Sequence, residues 1–68
     1  MARGPGKPSP IDVARHLRGL DFPAVRADLF DLAEENGAGE EVLERIRRMP
    51  DREYGSMAEV MKGLGEAG

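Results

Sequence analysis

Ser9-Pro10-Ile11-Asp12-Val13-Ala14-Arg15, with Leu17 beyond it, returns near the other end of the chain as Ser56-Met57-Ala58-Glu59-Val60-Met61-Lys62, with Leu64 beyond it. Both stretches read as helix starts. A serine at the N-cap accepts a backbone N–H from the first turn, and an acid three residues later reaches back to the serine N–H, so donors that a helix leaves open are satisfied. The apolar positions after each cap keep the same offsets. The chain therefore opens and closes its fold with two similar short helices.

Between these ends the pattern stays helical. Helix one is expected from Pro10 to Arg18, with Gly19 as a left-handed C-terminal cap and an inward stripe of Pro10, Val13, Ala14 and Leu17. The link Leu20-Asp21-Phe22 leads to Pro23, which is expected to start helix two and to hold Phe22 extended. Helix two runs to about Asn36 and ends at Gly37, with Val25, Leu29, Leu32 and Ala33 on one face and Phe30 widening it. It is the expected central helix. Helix three begins near Gly39 or Glu40 and stops near Met49, because Pro50 discourages continuation; Val42, Leu43, Ile46 and Met49 form its apolar side. Its acids come early and its arginines late, as the helix dipole favours. After the turn-rich loop from Pro50 to Gly55, helix four runs from Met57 to about Leu64, with Gly65 and Gly68 marking a frayed end. No segment alternates with the period of a strand. The fold expected is all-α, a compact bundle of four short helices over residues 9–66, preceded by a disordered tail over residues 1–8.

Composition narrows what such a bundle can do. With 68 residues there is room for one small domain, whose single core supplies only about 3–5 kcal/mol. There is no cysteine, so disulfides and thiolate metal sites are excluded, which suits a reducing compartment. No apolar stretch approaches the roughly 18–20 residues of a membrane span, and Met1 to Pro10 lacks the apolar core of a signal peptide. A cytoplasmic protein without membrane partners is the expectation. The net charge of −3 opposes broad attraction to phosphate backbones or anionic membranes. Eight of the ten basic residues are arginine, a bias toward planar, bidentate contacts that a GC-rich genome also produces.

Candidate chemistry is sparse. His16 is the only histidine, and without cysteine or a nucleophile beside it neither a triad nor a zinc site can be assembled. It reads as a solvated residue on the polar side of helix one. Asp28, Asp31, Glu34 and Glu35 place carboxylates along helix two, but acid–base work needs a cleft that separates their pKa values. Glu34 and Glu35 instead crowd the negative end of the helix dipole, which points to compensation by Arg15 or Arg18, or by an external partner. Gly4-Pro5-Gly6-Lys7 lacks the strand, spacing and helix of a phosphate loop. No catalytic, cofactor-binding or metal site is expected, and no small-molecule substrate. Tyr54 has two readings: an exposed anchor for a partner, or a ring folded back on Phe22, Ile46 or Val60. The second is favoured, since a core with two phenylalanines and no tryptophan can hardly leave its third aromatic outside.

Arg15, Arg18 and Arg26 lie across helix one, the extended link and the start of helix two, a layout that resembles the SAP and Rho N-terminal type of nucleic-acid module from Val13 to Ala33. A second resemblance covers more of the chain. Val13-x-x-x-Leu17-x-Gly19-x-x-Phe22-Pro23-Ala24, then Asn36-Gly37-Ala38, then Met49-Pro50-Asp51-Arg52-Glu53-Tyr54-x-Ser56-x-x-Glu59-Val60 resembles a short bacterial domain-of-unknown-function family, numbered twenty-seven ninety-five and common in actinobacteria. It implies a small helical unit, sometimes in tandem. Ser9, Phe22, Pro23, Pro50, Tyr54 and Ser56 are expected to be structural positions. No activity or cofactor comes with it. The function expected is a non-enzymatic interaction module for a protein partner or a second copy of itself. The alternative is a nucleic-acid binder using Arg15, Arg18 and Arg26.

Overall fold

The computed structural model describes residues 9–67, so the expected tail lies outside the described residues. The chain forms α1 (Pro10–Arg15), β1 (Ala24–Val25), α2 (Arg26–Glu35), α3 (Glu40–Arg47), β2 (Glu53–Tyr54) and α4 (Met57–Ala67). All four expected helices are present. The fold is mostly helical but not purely α, because β1 and β2 pair antiparallel, with Ala24 opposite Tyr54 and Val25 opposite Glu53. Two residues per strand are too few to print an alternating pattern, so the pairing is invisible to a periodicity reading.

That ladder moves the start of the central helix. Pro23 does not begin α2; the Phe22–Pro23 peptide bond is cis, and Ala24 and Val25 are extended against β2 before the helix turns at Arg26. Val25 takes the N-cap position with its N–H donating to Asp28 Oδ2 at 3.2 Å, and it is exposed rather than on the inward face. Valine has no side-chain acceptor, so this is one half of a capping box. Ala24 is buried in its place.

Helix one also ends early. After Arg15 the chain tightens through His16 N–H to Val13 O (3.0 Å) and Leu17 N–H to Ala14 O (2.9 Å), bonds that span three residues instead of four. Leu17 is still carried into the core, and Gly19 supplies the expected positive φ, +88°. At the end of α2, Gly37 has φ +83°, and its N–H bonds to Glu34 O while that of Ala38 bonds to Ala33 O. This pair is a Schellman motif and closes the helix sharply.

The two serine caps differ. Ser9 forms the full reciprocal box, with Asp12 N–H on Ser9 Oγ and Ser9 N–H on Asp12 Oδ2, both at 3.2 Å. At Ser56 the hydroxyl accepts from Glu59 N–H at 3.3 Å, but Glu59 Oε1 accepts from Gly55 N–H at 2.8 Å, one residue upstream of the expected donor. Beyond it α4 continues through Gly65 to Ala67, so the fraying expected at Gly65 is absent.

Packing follows the helical stripes. Val13, Leu17, Leu29, Ala33, Val42, Ile46, Met49, Tyr54, Val60 and Leu64 form one buried cluster, with no buried polar or charged residue among those described. Helix α3 sits at its centre, packed against α1, α2 and α4, a place expected for helix two.

Candidate interaction surface

The start of α2 lies against the end of α3, and Arg26 joins them. Its Nη1 donates to the carbonyls of Arg47 (3.3 Å) and Met49 (3.1 Å), while Nη2 stands 3.7 Å from the Asp51 carboxylate. The last carbonyls of a helix have no partner within it and carry the negative end of its dipole, so a guanidinium there is a cap supplied from outside.

Beside this brace a groove of about 420 Å³ runs between the two helices, lined by Arg26, Ala27, Phe30, Asp31, Arg47 and Asp51. The half-buried ring of Phe30 forms its apolar part, with the Arg47 guanidinium 5.3 Å from the ring centroid. Glu44 holds Arg47 at 3.1 Å and Arg48 at 3.5 Å. Among the described residues Asp31 makes no side-chain hydrogen bond or ion pair. Two arginines and two aspartates therefore share the groove with one aromatic ring. Nothing in the linear pattern signalled this groove, since its walls come from segments about 20 residues apart in the chain.

The arginines singled out in the sequence are not gathered. Arg15 and Arg18 are exposed on α1 and the turn after it, and among the described residues neither side chain pairs with Glu34 or Glu35. The expected internal compensation does not form. Instead Asn36 Nδ2 donates to the carbonyls of His16 (2.9 Å) and Arg18 (3.3 Å), tying the end of α2 to the end of α1. Arg18 thus has its backbone at the far end of α2 from Arg26, roughly 15 Å along the helix axis at 1.5 Å per residue. His16 is half-buried with Nδ1 2.9 Å from Asp12 O, and Asp28 is used as the α2 cap.

Tyr54 takes its expected inward place. It is fully buried, in one cluster with Ile46 and Val60, while Phe22 is 37% exposed and outside that cluster. Its hydroxyl donates to the Pro50 carbonyl at 2.5 Å, and the Arg52 guanidinium lies 5.4 Å from the ring centroid and 3.4 Å from Glu66. Burial raises the phenol above its ordinary pKa of 10.0, and Arg52 opposes that shift. The ring rests on Gly63, where a Cβ would stand 2.8 Å from Tyr54 Cε1 and 3.2 Å from Met49 Cε. Sequence reading passed over Gly63, although Val60-x-x-Gly63-Leu64 repeats the spacing of an inward stripe. A second hollow of about 330 Å³, lined by Gly19, Leu20, Asp21, Pro23, Asp28 and Leu32, lies at the link after α1.

Fold and surface together describe a small, mostly helical domain that carries a shallow groove of mixed charge between α2 and α3. Among the described residues no group of histidine, cysteine, aspartate or glutamate could hold a metal ion, and no helix is long and apolar enough to cross a membrane. The chain belongs to the family described as Protein of unknown function (DUF2795), whose model matches residues 8–61. That match covers the elements from α1 into α4 and the Phe-Pro-Ala and Pro-Asp-x-Glu-Tyr-x-Ser segments. Neither a curated protein nor a solved structure matches the chain.

Proposed function

We propose that this domain is a non-enzymatic interaction module that takes a segment of another protein chain into the groove between α2 and α3. The observation that carries this reading is the mixed lining of the groove, where Arg26, Asp31, Arg47 and Asp51 share its wall with the half-buried Phe30 ring. A phosphate backbone is drawn by a continuous positive face, whereas mixed signs around an aromatic suit a protein segment with its own mixed charges. Arg26 is also engaged by two carbonyls and a carboxylate, which removes it from the arginine edge a nucleic-acid binder would use. The test is capture from native cell extract by the immobilised domain, compared with Ala27→Glu and Asp31→Arg, both at exposed groove positions. Protein capture that survives nuclease and is lost in both variants is expected. Capture indifferent to the groove, or submicromolar duplex binding at physiological salt that disappears in Arg15→Ala and Arg18→Ala, overturns the reading.

A further inference from the structure

Helix α1 presents a face that the domain itself does not use. Ile11 is 62% exposed, the most exposed of the large apolar residues described, and Arg15 stands one turn further along the same face. Among the described residues the Arg15 side chain makes no hydrogen bond or ion pair. An apolar knob and a free cation four residues apart are the complement of what the groove offers, an aromatic ring in Phe30 and an unpaired carboxylate in Asp31. The echo of α1 in α4 sharpens the choice. Ala58 and Lys62 occupy the corresponding positions and are also exposed, but alanine offers far less apolar surface than isoleucine to set against a half-buried ring.

We infer that the segment received by the α2–α3 groove is α1 of a second copy of this chain, with Ile11 set against Phe30 and Arg15 paired with Asp31. This rests on the groove being a protein-docking site and names its occupant. It is a helix-in-groove contact read through anchors one turn apart. Because the two surfaces are different, the contact is head-to-tail, so each copy offers α1 to one neighbour and its groove to another. One apolar anchor and one exposed ion pair make a small interface, so the association is weak.

Sedimentation velocity on the full chain from low to high micromolar concentration tests it. The wild-type chain is expected to associate with rising concentration. Arg15→Asp alone and Asp31→Arg alone set like charges against each other, and each is expected to weaken association about tenfold, equivalent to roughly 1.4 kcal/mol. Mixing the two variants restores opposite charges at every junction, so the mixture should associate while each alone stays monomeric. Both positions are exposed, and unchanged circular dichroism shows that the fold is kept. A wild-type chain that remains monomeric, or an equimolar mixture that fails to recover, overturns the inference. If extract capture still depends on the groove in that case, the docking function stands and only the identity of the occupant is wrong.

Discussion

Tyr54 concentrates more of the fold than any other side chain, because it combines complete burial, a hydroxyl bonded to Pro50 and a ladder position opposite Ala24. Tyr54→Ala removes a large buried ring at a cost of about 3 kcal/mol or more, close to the whole stability of a domain this size. The variant should be largely unfolded by circular dichroism at room temperature. Tyr54→Phe loses only the hydroxyl bond and should be destabilised by about 1 kcal/mol. The tyrosine also sets an alkaline limit. Its folded pKa is raised above the unfolded value of 10.0, so the stability it confers is fully present below pH 10.0 and is lost as pH climbs through the raised value. As it is the only tyrosine in the chain, phenolate absorbance reads this titration without interference, and the stability of Tyr54→Phe should not follow it. Gly63 and Gly65 give a matched pair on one helix. Gly63→Ala drives a methyl into the buried Tyr54 ring and should lose about 1–3 kcal/mol, whereas Gly65→Ala meets nothing within 4 Å and should gain about 0.5–1 kcal/mol in thermal unfolding.

The helices are held at their ends as much as along their faces. Arg26 caps α3 from α2, Asn36 ties α2 to the turn after α1, and Arg45 Nη2 reaches the Leu64 carbonyl of α4 at 3.3 Å. Each is a polar side chain from one element satisfying carbonyls of another, and each bond is worth about 1 kcal/mol, somewhat more where the donor is charged. Asn36→Asp keeps the shape but cannot donate, and it turns a carboxylate toward the His16 and Arg18 carbonyls. A loss of about 1–2 kcal/mol in urea unfolding is expected, exceeding that of Asn36→Ala. Asn36-Gly37 was legible as a helix stop, since a positive φ after an asparagine is a local matter. That the asparagine amide crosses to another helix was not legible, because the acceptors are backbone carbonyls, which every residue carries.

The core is one cluster to which all four helices contribute, so no part of it can be removed without opening the rest. The family match ends at residue 61, yet Leu64 is completely buried and Gly63 lies under the Tyr54 ring. A chain ending at Met61 loses the Leu64 side chain, the surface on which Tyr54 rests and the carbonyl that Arg45 holds. The expected loss from Leu64 alone is about 2–5 kcal/mol, enough to unfold a domain of this length. Circular dichroism of the shortened chain should show little cooperative melting, while a chain ending at Ala67 should melt like the parent.

Helical periodicity, serine caps and glycine stops act over one or two turns, so the linear pattern alone gave away four helices and most of their inward residues, Val25 excepted, while the scarcity of aromatics pointed to the burial of Tyr54. It was silent wherever the deciding partner is distant in the chain. The β1–β2 ladder shifts the start of α2 from Pro23 to Arg26 because the N–H and C=O groups that compete for Ala24 and Val25 belong to Glu53 and Tyr54. Arg26 is a cap rather than part of a basic edge because the carbonyls of Arg47, at the end of α3, and of Met49, just past it, come within 3.3 Å of it only after folding. The groove is likewise a product of packing, since Phe30 and Asp31 become one surface with Arg47 and Asp51 only when α2 lies along α3. Local conformational preference chose the elements, and contacts between remote segments, which close only when the entropy of the intervening loops is overcome, chose the surfaces.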